Sequence, residues 1–187
     1  GTIKVRVNLP IKEHITELEI PVHLFASEIT NAGKKNPSFE SIERIKNEYV
    51  SIAASDEERA DRVRITSGKL EMNEYSTDGE NLVSYPRIRA SFVTRIKKEE
   101  MTPEASFTSI FVIGAIAPET DREGNETGRY KVKGILPQYG GKVDLFDFYA
   151  ESEGVINAIS SYWNQGDTVR ANGRLMFSSK TETRYQE

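Results

Sequence analysis

The chain has 187 residues, of which 37% are hydrophobic and 29% charged, with a formal net charge of -4 and no cysteine. Without cysteine there are no disulfides, thiolate metal sites or thiol nucleophiles, and no run approaches the ~18 apolar residues that cross a bilayer. The length suits one elaborated domain or two small ones, and the composition is that of a soluble protein, expected in the cytoplasm.

In chain order, residues 3–8 and 17–26 alternate apolar and polar side chains, the period of half-buried strands, with Pro21 expected at an edge or bend. Asn36-Pro37 then opens a helix, because Asn is a favoured cap and Pro suits the first turn. Phe39, Ile42, Ile45, Tyr49 and Ile52 follow at three- and four-residue spacing and form its buried stripe. Strands are expected over 62–75 and 84–98, joined by a turn at Ser76-Thr77-Asp78-Gly79. A mostly apolar strand over 107–117 leads into a charged hairpin at 118–128. Strands at 129–136 and 142–150 flank Pro137-Gln138-Tyr139-Gly140-Gly141. A helix over 153–163 carries Val155, Ile159 and Trp163 on one face and stops at Gly166, before strands at 168–178 and 180–186.

Charge is uneven along the chain. Residues 62–98 hold eight Lys/Arg against four Asp/Glu, and residues 99–128 hold one Arg against seven acids, expected to be solvated. A period of two puts Arg87, Arg89, Arg95 and Lys97 on one face, with Ile88, Ala90, Phe92 and Ile96 directed to the core. Arg62 and Arg64 flank Val63 in the same way. Arg129, Lys131 and Lys133 share a face, Lys142 opens the next strand, and Arg170 and Arg174 share a face near the end. Cationic rows of this kind suit phosphates, and flat side chains suit bases. Among the tyrosines at 75, 85, 130, 139 and 185, Tyr139 is the foremost stacking candidate because it sits in a Gly-rich loop, whereas parity turns Tyr130 inward. The bland alternative is that each row is the solvent face of an antiparallel sheet.

Catalytic patterns are missing. The two histidines, His14 and His23, have no acidic cluster at metal-ligand spacing, and Asp144 and Asp147 fall on opposite faces of their strand. There is no phosphate-cradling P-loop, nucleophile elbow or dinucleotide fingerprint. Neither catalysis nor a cofactor is expected.

The phrase Gly166-Asp167-Thr168-Val169-Arg170-Ala171-Asn172-Gly173-Arg174-Leu175 follows a helix, and its inward glycine marks a bend or a close approach. It resembles the later strands of OB-fold single-stranded-DNA-binding proteins, of phage or mobile-element type. The resemblance implies a mainly β chain with a five-stranded Greek-key barrel over residues 99–187 and an α-helix between strands. Residues 1–98 are then either a first OB-like barrel or a β-α-β elaboration of a single one. It further implies sequence-tolerant binding of single-stranded DNA in replication and recombination. Replication or recombination proteins would be further partners, no membrane is involved, and the oligomeric state stays open. The alternative is a β-barrel protein-interaction or virion scaffold module, and the two differ in whether the basic rows converge.

Overall fold

The computed structural model describes all residues except 12, 13, 66, 77, 78, 80 and 177–187. The chain is mainly β and forms two compact units, one of Gly1–Ala105 with the stretch from Leu175, the other of Ser106–Arg174. No helix among the described residues is long and apolar enough to cross a membrane.

Unit 1 contains β1 (Thr2–Ile11), β2 (His14–Leu24), α1 (Pro37–Glu48), β3 (Arg62–Arg64), β4 (Lys69–Ser76), β5 (Leu82–Ala90) and β6 (Thr94–Ile96). Its main sheet runs in the order β1-β2-β5-β4, and β3 and β6 form a separate two-stranded ribbon. Alternation drives the burial: Val7, Leu9, Leu18, Ile20, Val22, Leu24, Ile88 and Ala90 all enter one core. The helix starts as its sequence demands, with the Asn36 side chain accepting from Ser38 N at 3.0 Å and Pro37 in the first turn. Ile42, Ile45 and Tyr49 pack on the core. The helix ends at Glu48, short of Ile52, because Tyr49 turns extended and its hydroxyl donates to Val93 O at 3.0 Å.

Three expectations are corrected here. Pro21 lies in an inner strand, but β2 pairs with β5 only at Val22, His23 and Leu24, so the proline falls just outside that contact. The strand expected over 62–75 is two strands, β3 and β4. The strand expected over 84–98 is also two, because the pleat slips at residues 91–93: Val93 is 3% exposed and Phe92 42%. The strand ends there, turning Phe92 out and Val93 in, and β6 beyond it keeps Ile96 half-buried between exposed Arg95 and Lys97.

Unit 2 contains β7 (Ser106–Thr120), β8 (Glu126–Pro137), β9 (Val143–Ala150), α2 (Glu153–Tyr162) and β10 (Thr168–Arg174). Its sheet runs β10-β7-β8-β9, with all neighbours antiparallel. Three hairpin-connected strands and a fourth that returns beside the first make a Greek key, with α2 in the long connection. Bulges at Ile113/Ala115 and Pro118/Thr120 bend β7 against β8. Phe111, Ile113, Val132, Leu136, Phe146 and Ile159 are buried. Trp163 lies edge-on to Phe111, and Phe148 stacks on Phe111 with centroids 4.5 Å apart. Val155, expected on the buried stripe of the helix, is exposed, being in the first turn. The helix stops at Tyr162, before Gly166 is reached.

The inward glycine of β10 marks a close approach: a Cβ on Gly173 would sit 2.6 Å from the Phe107 ring. The described residues form open four-stranded sheets rather than a closed barrel. The last expected strand, over 180–186, and Tyr185 lie outside the described residues, as do parts of the turn at 76–79.

Candidate nucleic-acid interface

On unit 1 the register decides which cations meet. Arg87 lies opposite Glu71, Arg89 opposite Lys69, and Tyr85 opposite Asn73 across β4 and β5, so these side chains share the face turned away from the core. The parallel pairing of His23 with Arg89 adds β2 to the same face. Phe25, two residues on, is 69% exposed and lies under the Arg89 guanidinium at 5.6 Å. Tyr75 and Tyr85 meet edge to face with centroids 6.2 Å apart. Thr2, His23, Phe25, Arg87 and Arg89 line an open cleft of about 450 Å³. Aromatic rings therefore flank a pair of cations along one surface, and a flexible polyanion with flat bases needs both kinds of group.

The two arginines are not equivalent. Arg87 is half-buried, donates to Glu71 and Asn73, and is committed to them. Arg89 stands 3.9 Å from the same carboxylate and is more open, so it is the cation able to turn to a phosphate. On β1 and β2 the outward charges pair with each other, Lys4 on Glu19 at 2.7 Å and Arg6 near Glu17 at 3.5 Å.

The slip at 91–93 breaks the expected row of Arg87, Arg89, Arg95 and Lys97. Arg95 belongs to the ribbon, where it pairs with Asp61 at 3.2 Å, donates to Glu48 O at 2.8 Å and covers Tyr49 at 4.5 Å. It locks the end of α1. Lys97 follows β6 and is exposed, while Arg62 and Arg64 flank Val63 on β3; none of the three has an ion-pair partner among the described residues.

In unit 2 the charged row on β8 is mostly spent within the sheet. Arg129 grips Glu119 with two nitrogens, reaches Glu151 at 3.5 Å and covers Tyr149 at 5.0 Å. Lys131 pairs with Asp147 at 3.4 Å. Lys133, Lys142, Arg170 and Arg174 are exposed without an ion-pair partner among the described residues, but the two arginines sit on β10, with β7 between them and β8. Tyr130 is half-buried. Tyr139 stands 96% exposed in its loop. Tyr139→Ala should therefore leave the melting temperature unchanged, and any loss of oligo-dT affinity then reports lost stacking, ~1–3 kcal/mol per base. A falling melting temperature would show that the loop is structural.

The acidic stretch is less idle than its solvated reading. Glu119 is held below the usual carboxylate range by hydrogen bonding from Arg129, then Thr127. Asp121 is lowered mainly by the backbone N–H of Asn125, at 2.9 Å, and closes the β7–β8 turn. A carboxylate with a depressed folded pKa adds stability above its unfolded pKa and loses that contribution as pH falls through the folded one. The Glu119–Arg129 contribution should thus be full near neutrality and fade below the ordinary glutamate value of 4.5. Melting curves of the parent and Glu119→Gln, taken from neutral to acid pH, should converge in that window; a constant gap would refute the assignment.

Phe25, His23, Glu71 and Asn73 were not among the sequence candidates. Phe25 was legible, as a large aromatic at an outward position of an alternating strand. Glu71 and Asn73 were not, since only the β4–β5 register sets them against Arg87. No group of three or more His, Asp or Glu among the described residues could hold a metal ion.

The family model of YorF matches residues 1–187, and the chain belongs to that family. No curated protein and no solved structure matches it.

Proposed function

We propose that this member of the YorF family binds single-stranded DNA with little sequence preference, in replication or recombination and without a catalytic step of its own. The observation that carries the reading is the outward face of unit 1, where Arg87 and Arg89 stand between Phe25 at one end and Tyr85 with Tyr75 at the other, beside an open cleft. The rings take bases by stacking, which every base permits, and Arg89 takes a phosphate. Arg87, fixed by Glu71 and Asn73, holds the register of the face. The fold lends support. A four-stranded Greek key with a helix in its long connection is the larger part of an OB barrel, whose surface serves single strands in many settings.

The test is a fluorescence-anisotropy titration of labelled oligo-dT, oligo-rU and duplex at several salt concentrations. Oligo-dT should bind best, with log affinity falling linearly in log salt by about 0.7 per phosphate neutralised. Preference for duplex, or indifference to salt, would overturn the reading. Equal or tighter binding of oligo-rU would move the substrate to RNA.

A further inference from the structure

The sheet of unit 2 has a second side that its helix leaves bare. Ile159 and Trp163 of the α2 region cover the face that carries Phe111. On the opposite face, register places Thr168, Val112, Ile135 and Leu145 in one row across all four strands. In the neighbouring row Arg170 pairs with Ile110, and Pro137 with Val143. Ile110 is 61% exposed, Val143 59% and Leu145 53%. Isolated apolar side chains on a surface are ordinary, but a contiguous cluster over several strands marks an interaction site.

Charge narrows the occupant. Arg170 and Arg174 on β10 and Lys133 on β8 border the cluster, and none has an ion-pair partner among the described residues. The carboxylates on this side, Asp147 and Glu119, are already held by Lys131 and Arg129. The surface is therefore apolar at its centre and cationic at its border. A second copy docked by the same patch would set these cations against their own counterparts. Single-stranded nucleic acid needs accessible flat rings beside its cations, whereas the cluster itself is built of Ile, Val and Leu, and Tyr149, on the same face four residues beyond Leu145, is covered by Arg129. An acidic polypeptide with apolar side chains satisfies both parts.

We infer that the outward face of β10-β7-β8-β9 docks a segment of a partner protein in which Asp or Glu side chains are interspersed with large apolar ones. The inference adds to the single-strand reading and does not depend on it.

The experiment is selection of a random-peptide library on the full chain, followed by anisotropy with the recovered peptides. Recovered sequences should combine acidic and large apolar residues. Their affinity should fall about tenfold or more with Ile110→Ser and with Leu145→Ser, as for residues at the centre of an interface, and Arg170→Glu should lower it by turning an attractive border charge repulsive. Arg89→Ala should leave peptide binding unchanged. Since Ile110 and Leu145 are exposed, unchanged melting temperatures will show that the variants are folded. Neutral or basic peptides, peptides indifferent to Ile110→Ser, or no recovered peptide would overturn the inference. So would loss of oligo-dT affinity in Ile110→Ser, which assigns the face to nucleic acid, or a concentration-dependent oligomer abolished by that variant, which assigns it to a second copy.

Discussion

Gly134→Ala is expected to destabilise the protein by ~1–3 kcal/mol, through overpacking. A Cβ at that position would lie 2.6 Å from Cε2 of Phe148 and 2.9 Å from Cδ2 of Phe111. Neither ring has room to retreat, because they stack on each other at 4.5 Å and Phe111 is buried. The usual entropic gain from replacing glycine acts in the opposite direction and is smaller, ~0.4–1 kcal/mol. Gly154→Ala is the matched control: it lies at the start of α2 with nothing near its added methyl, so the same chemical change should be neutral or stabilising there. Urea unfolding of the two variants separates the effects. Equal midpoints would mean that the aromatic layer of unit 2 is looser than its geometry.

Removing two rings from the proposed interface should have the largest effect on binding. Phe25→Ala with Tyr85→Ala is expected to weaken oligo-dT binding by ~5- to 150-fold per engaged base, the equivalent of ~1–3 kcal/mol each, with the salt dependence almost intact. Arg89→Ala should instead lower affinity and flatten the log-log slope by about 0.7, the share of one phosphate. Glu71→Gln should act in the opposite direction from Arg89→Ala. It keeps an acceptor for Arg87 while removing the negative charge that both arginines share, so affinity rises and the slope steepens. Anisotropy titrations of the four proteins at matched salt concentrations provide the comparison. If the ring variants bind like the parent, the aromatic face of unit 1 is not where the strand lies.

The elements of this chain were largely legible in its pattern of residues, and the pairing of its charges was not. Local rules reach as far as Asn36-Pro37 opening α1, or the alternation that half-buries Val169 and Ala171 while exposing Arg170 and Arg174. Which carboxylate faces Arg87, by contrast, depends on a hairpin partner sixteen residues away in the chain. Arg129 and Lys131 looked like binding groups because Glu119 and Asp147 sit on other strands, and only register brings them together. The break at residues 91–93 is equally silent in the sequence. A continuous alternation carries no mark of a break until the core has to choose between Phe92 and Val93. Phe25 is legible in the alternation itself, which turns a large aromatic side chain outward at residue 25.

The chain leaves unit 1 after Ala105 and re-enters it at Leu175, whose N–H donates to Ala105 O at 2.7 Å. Ser106 pairs with Arg174 and Phe107 with Gly173, so unit 2 begins and ends at one point. This has a consequence for the order of assembly. As a disordered loop, the intervening chain would make joining Ala105 to Leu175 entropically costly, but once folded it delivers both ends already side by side. Unit 2, contiguous in sequence, is thus expected to form first and to act as a rigid staple for the last contact of its host. Trp163, the single tryptophan, lies within unit 2, and its emission in a refolding experiment should settle before the strand signal of the whole chain does. A single common phase for both signals would mean that the two units assemble as one cooperative body.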